Sequence, residues 1–195
     1  MFHLASTRFN CKSYQENINY RIKNGIQVIY GSSFKIRDIY SPGSLIFVAE
    51  MNNETNKVEG IGLIKNLLVS DKNYRIYDDI LYNRYIYRGN YWLSRNQIDE
   101  LDPEIIEIFD NILFKGKSNM KRMSGITVLT KKLFTNWNYE LDDLKNKVKN
   151  AFLNYFKHKI NFATEESIEE SNEESNEEFE IIPKRKTKTK TKTKT

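Results

Sequence analysis

Two adjoining stretches decide how this chain reads: Ser41-Pro42-Gly43-Ser44-Leu45-Ile46-Phe47-Val48, and, beyond a polar loop at 52–57, Val58-Glu59-Gly60-Ile61-Gly62-Leu63-Ile64-Lys65. Pro42-Gly43 is turn chemistry, and the apolar run that follows, at 44–51, has the length and β-branched content of a buried strand. Residues 58–65 form a second such run, so the two make a hairpin. Gly60 and Gly62 lie on one side of the second strand, where a missing side chain marks a bulge or another backbone passing close by.

Outward from this hairpin, strand and helix signals are interspersed. On the N-terminal side, 13–24 has helical spacing. Ser13 with Glu16 fits a capping box, Tyr14, Ile18 and Ile22 lie along one stripe, and Gly25 supplies a left-handed stop. A short β-branched run at 26–30 reads as a strand ended by Gly31-Ser32-Ser33. On the C-terminal side, 74–93 is dense in tyrosine and isoleucine, and Gly89-Asn90 offers a two-residue turn between two strands. A helical region opens at Ser94 or Asp99, and Asp102-Pro103 reads as a cap followed by proline at the first helical position. A basic loop at 115–125 and a short strand at 126–129 follow. Leu141, Leu144, Val148, Ala151, Phe152 and Tyr155 then recur at helical spacing. The pattern predicts one α+β domain over 1–162.

From 163 to 195 the composition changes. Residues 165–180 carry acidic side chains and no basic one, and 184–194 carry basic side chains and no acidic one. Neither block holds enough apolar surface to offset the cost of ordering a backbone, roughly 1–2 kcal/mol per residue, which predicts a disordered tail. Such a tail offers a contact for a protein partner. Its Pro183-Lys184-Arg185-Lys186 resembles a nuclear-import signal. The whole chain of 195 residues has a net charge of +5, and without the two blocks the body stays basic. A basic body attracts phosphate-bearing partners at long range.

Catalytic chemistry is hard to assemble. The two histidines, His3 and His158, stand near opposite ends of the domain, and the single cysteine, Cys11, reads as a small buried hydrophobe. Gly116-Lys117-Ser118 lacks the glycine a phosphate-binding loop needs at 111, where Asn111 stands. Asp78-Asp79 and Asp142-Asp143 are adjacent pairs whose side chains diverge. We therefore expect no catalytic residue, no metal and no cofactor, with a nucleic-acid hydrolase as the weakest reading. No apolar run approaches the ~18–20 residues that span a bilayer, so the expectation is a soluble intracellular protein without a membrane partner.

The positive signals are those of a nucleic-acid surface. Arg75, Arg84, Arg88 and Arg95 interleave with tyrosines and Trp92 between 74 and 95. Arginine contacts phosphate and stacks on bases, and an aromatic face stacks on an unpaired base for about 1–3 kcal/mol. Strand alternation over 82–88 places Tyr82, Arg84, Ile86 and Arg88 on one face, with Tyr85 and Tyr87 on the other. The loop at 115–125 adds Lys117, Lys121 and Arg122. The expected nucleic-acid-binding residues are thus Arg75, Arg84, Tyr85, Arg88, Trp92, Lys117, Lys121 and Arg122. The same residues also fit a half-buried hairpin whose arginines only meet solvent.

The Pro-Gly turn, the strand it launches and the Gly60-Ile61-Gly62-Leu63-Ile64 strand together resemble the central hairpin of the PUA-like superfamily, which includes the PUA, ASCH, EVE and YTH domains. Ser44 stands where that family usually has Asp. The resemblance implies a small open β-barrel decorated by helices, and a module that binds RNA or DNA, often by taking a modified base into an aromatic pocket. Abundant Asn, Ile and Lys with little Ala, together with the segregated tail, are similar to proteins of large AT-rich DNA viruses, implying the host cytoplasm or the virion. The competing reading is a structural, virion-associated interaction protein without specific nucleic-acid recognition.

Overall fold

The computed structural model describes residues 2–173. Among these residues, seven strands and four α-helices follow one another in the order β1 (Phe2–Phe9), α1 (Cys11–Asn24), β2 (Val28–Ser32), β3 (Leu45–Asn52), β4 (Lys57–Lys65), β5 (Tyr85–Gly89), β6 (Tyr91–Ser94), α2 (Arg95–Leu101), α3 (Pro103–Phe114), β7 (Thr127–Val128) and α4 (Leu141–Glu173). The architecture is α+β, a small open mixed sheet with helices. Five strands pair in the order β6-β4-β3-β1-β7, with β1 parallel to β3, and β2 pairs with β5 as a separate ribbon. The strands do not close into a barrel.

The hairpin forms as the sequence reads, with β3 and β4 antiparallel from Leu45↔Lys65 to Asn52↔Lys57. Its register slips between Ala49 and Met51, where Glu59 and Gly60 face the single residue Glu50. Pairing fixes the faces. Ala5, Val48, Gly62 and Trp92 stand side by side across the sheet, and so, on the other face, do Ala49, Ile61 and Leu93. On the first face β2 brings Val28 and Tyr30 down onto Gly62, where any Cβ would run into the Tyr30 hydroxyl. That is why a glycine strand is needed beneath the ribbon. On the second face Phe47 meets Phe152 of α4 edge to face at 4.9 Å. The core is therefore two apolar layers, one on each side of the sheet.

Several expectations need correction. The strongest concerns β1, which lies between β3 and β7 at the heart of the sheet although no strand pattern points to it. Helix α1 begins earlier than expected, on Asn10, whose side chain accepts from the Ser13 backbone at 2.7 Å while Ser13 Oγ accepts from the Asn10 backbone at 3.0 Å. Its inward stripe is polar: Asn17 and Arg21 are its buried residues, and Ile22 is 76% exposed. Cys11 is exposed at the helix start, not buried.

Gly89-Asn90 does not turn a hairpin. It carries the chain from the ribbon, where β5 pairs with β2, to the main sheet, where β6 pairs with β4. The alternation expected over 82–88 also fails, because Ile80–Asn83 is a 3₁₀ turn and Ile86 and Tyr87 are both buried. By contrast, Ser94 caps α2 through Gln97, and Asp102 caps α3 with Pro103 at its first position.

Residues 1–154 form one compact unit and 155–195 a second, and α4 crosses that limit. The helical backbone continues to Glu173, past the expected domain limit at 162, so the tail expected from 163 enters it as helix. The rest of the acidic block 165–180 and all of the basic block 184–194 lie outside the described residues. No helix among the described residues is long and apolar enough to cross a membrane.

Candidate functional site

A cavity of about 320 Å³ opens where β1 ends and α1 begins. Its walls include Phe9, Tyr77 and Tyr82, its rim Arg8, Lys12 and Asn53, and Gly31 and Gly125 also line it. Each wall is held from behind. Tyr77 is buried, stands edge-on to Tyr82 with centroids 6.3 Å apart, and is tilted against Phe9 at 6.4 Å. Its hydroxyl accepts from the Asn17 amide at 2.9 Å, and that amide also donates to the Ile29 carbonyl at 2.7 Å. Burial pushes the Tyr77 hydroxyl well up, so it stays protonated across the ordinary pH range.

The 76–83 segment that carries both tyrosines is clamped by one side chain. Asn83 Oδ1 accepts from the backbone of Ile76 at 2.8 Å and of Tyr77 at 3.0 Å, while its amide donates to the Tyr77 carbonyl at 2.7 Å. A loop closed on itself in this way presents its rings at fixed positions, which lowers the ordering cost of a ligand. On the opposite rim the Lys121 carbonyl accepts from Arg8 at 3.0 Å and from the Asn53 amide at 2.8 Å, tying the basic loop to the end of β1. Asn53 Oδ1 is buried without a hydrogen-bond partner.

The rim mixes charges. Asp78 pairs with Lys12 at 2.7 Å, and the lysine holds its carboxyl below the usual range. Asp79 accepts from the Leu81 backbone at 3.0 Å, capping the 3₁₀ turn. Among the described residues there is no group of three or more His, Cys, Asp or Glu placed to hold a metal.

The residues singled out from sequence fall into four places. Arg75 and Arg84 line an open cleft of about 830 Å³ that shares Tyr77 and Asp78 with the first cavity. Lys117, Lys121 and Arg122 lie on the loop tied to its other rim. Tyr85 is half-buried under two cations, Arg84 Cζ at 5.2 Å and Lys35 Nζ at 5.8 Å from its ring centre, and Arg88 is exposed on β5. Trp92 is elsewhere. It packs against the core with the Arg21 guanidinium 4.4 Å from its ring. Among the described residues none of Arg75, Arg84, Arg88, Lys117, Lys121 and Arg122 makes an ion pair. Of the carboxylates around α2 and α3, Asp110 pairs with Arg95 of α2 at 2.8 Å and Asp102 with Lys147 of α4 at 3.0 Å.

Sequence reasoning missed Arg8, Phe9 and Asn53, and its expected binding residues did not include Tyr77 or Tyr82. Arg8 and Phe9 end a strand it did not find, and Asn53 sits at the tip of the hairpin, where a polar loop residue draws no notice.

The core also holds a buried charged cluster. Glu50 is fully buried, accepts from the Tyr30 hydroxyl at 2.7 Å and pairs with Arg21 at 3.1 Å. Burial raises its carboxyl above the ordinary range, against the opposing pull of Arg21. No family model, no curated protein and no solved structure matches this chain.

Proposed function

We propose that this chain is a non-catalytic nucleic-acid-binding module of PUA-like type that takes one base of a single strand into the cavity beside α1. One observation carries the reading: an aromatic-walled cavity of about 320 Å³, itself lined by Glu16, Asp78 and Asp79 as well as Arg8 and Lys12, adjoins a cleft lined by Arg75 and Arg84, unpaired among the described residues, and is tied at its rim to the basic loop through the Lys121 carbonyl. That volume is at the small end of the ordinary range for ligand sites, about 300–1,000 Å³, and so fits a flat heterocycle. The half-buried Tyr82 offers a stacking face, and Arg75 and Arg84 on one side with Lys117, Lys121 and Arg122 on the other hold the backbone phosphates. The resemblance of the 41–64 hairpin to the PUA-like superfamily points the same way.

Fluorescence anisotropy with labelled single-stranded RNA and DNA tests this. The chain should bind at low salt and lose affinity steeply as salt rises. Tyr82→Ala should weaken binding by about 1–3 kcal/mol, and Arg75→Ala with Arg84→Ala should each lower the salt slope by about one. A chain that binds neither strand at low salt, or a Tyr82→Ala variant that binds as the native chain does, would sink the proposal.

A further inference from the structure

On the other side of Gly125 lies a second groove. The first cavity is lined by Gly125, and the second, of about 620 Å³, by its neighbours Ser124 and Ile126. Its two banks are 34–40, which follows β2, and 118–133, which contains β7. Lys35, Arg37 and Lys132 stand along it, and no Asp or Glu is among its lining residues. None of these three cations makes an ion pair among the described residues. Phe34 is 65% exposed and Met123 46% exposed, so two broad apolar faces stand among the charges.

Gly125, with φ +69°, is the residue at which the two spaces adjoin, and the buried Ser32 hydroxyl takes up the room a side chain there would need, 2.5 Å from where its Cβ would lie.

We infer that this groove holds the next nucleotides of the same single strand, their phosphates on Lys35, Arg37 and Lys132 and a base against Phe34 or Met123. The inference rests on the base-binding reading of the first cavity. Three observations select this occupant. The cations are uncompensated, as a polyanion requires. Stackable side chains alternate with them, as unpaired bases require. The groove also adjoins, at 124–126, a cavity sized for one base and has about twice its volume. An acidic peptide would satisfy the first condition and not the other two.

The test uses the full chain with Arg37→Glu and Lys132→Glu, alone and together, both on exposed side chains where substitution shifts stability by no more than about 0.5 kcal/mol. The probes are uridine monophosphate and oligouridylates of increasing length, read by calorimetry and anisotropy. The double variant should bind the mononucleotide as the native chain does, lose at least about tenfold in affinity for the longer strands at low salt, and show a salt slope lower by about one per cation removed. Tyr82→Ala should weaken every length. If Tyr82→Ala weakens binding while the double variant matches the native chain on long strands, the groove inference fails and the first-cavity reading stands. If the native chain binds no length, both fail. If a polyglutamate peptide competes with the long strands as well as unlabelled oligouridylate does, the groove is a general acidic-partner surface and the inference also fails.

Discussion

Replacing Arg21 by Met should cost about 3–5 kcal/mol of folding stability near neutral pH, and less as the pH falls. Arg21 pairs with Glu50 at 3.1 Å inside a cluster where both side chains are essentially removed from water. Methionine keeps much of the volume and removes the charge, leaving the carboxylate buried beside only the Tyr30 hydroxyl and the Trp92 indole. It also removes the guanidinium from the Trp92 face. The pH dependence follows from the direction of the Glu50 shift. Its folded pKa is already above the unfolded value, so between the two values the folded state holds more protons than the unfolded one. Stability from this group is therefore full below the unfolded pKa and is lost as pH rises through the folded pKa. Arg21 pulls that pKa down, so without it the loss extends to higher pH and acidification relieves it. Urea unfolding of native and variant chains across a pH series measures this. Adding Glu50→Gln to Arg21→Met should recover most of the loss, because the amide still accepts from Tyr30 and leaves no charge behind. A penalty that is constant with pH, or that Glu50→Gln deepens, would show that packing and not charge burial sets it.

Gly89→Ala should cost about 3 kcal/mol, the upper end of ordinary overpacking. At the crossing from ribbon to sheet a Cβ on residue 89 would run into the Leu63 carbonyl oxygen, and it would lie 2.9 Å from the Leu63 carbonyl carbon and 3.3 Å from the Ile64 Cα. All three are backbone atoms of a central strand, so no rotamer change makes room. Asn90→Ala, one position on and exposed, is the control and should stay within about 0.5 kcal/mol. Equal unfolding midpoints for the two variants would mean that the backbones are not in contact at this point.

These two sites also show what was legible from sequence and what was not. Elements set by neighbours along the chain were readable. The β3–β4 hairpin, the Gly25 stop, the Ser94 cap and Asp102-Pro103 each depend on residues within a few positions. Elements set by distant partners were not. Strand β1 is covered on both faces, so Ser6 and Thr7 are buried along with Leu4 and Ala5 and no alternation appears. Its parallel partner β3 begins at Leu45. Helix α1 keeps Tyr14 against the core but turns Asn17 and Arg21 inward and Ile22 outward, because Asn17 and Arg21 meet Ile29, Tyr77 and Glu50, none of which a helical wheel contains. Gly89-Asn90 was readable as a break in strand direction, yet the partners on either side were not. The same division holds for the candidate site. The density of tyrosine and arginine drew notice to 74–95, but Tyr77 and Tyr82, which wall the cavity, were not among the expected site residues, because the cavity exists only where β1, the clamped 76–83 loop and the basic loop converge.

The crossing at Gly89 has a consequence for how the domain opens. Two sheets on one chain are ordinarily free to exchange their amides as separate cooperative blocks. Here one covalent step joins β5 in the ribbon to β6 in the main sheet, and the Leu63 backbone presses on that step. Freeing the ribbon pulls on the edge of the main sheet. The amides of Tyr87 and Leu93 should thus report one common opening in native-state hydrogen exchange, and the ribbon whose Gly31 lines the first cavity should breathe only when the whole domain does.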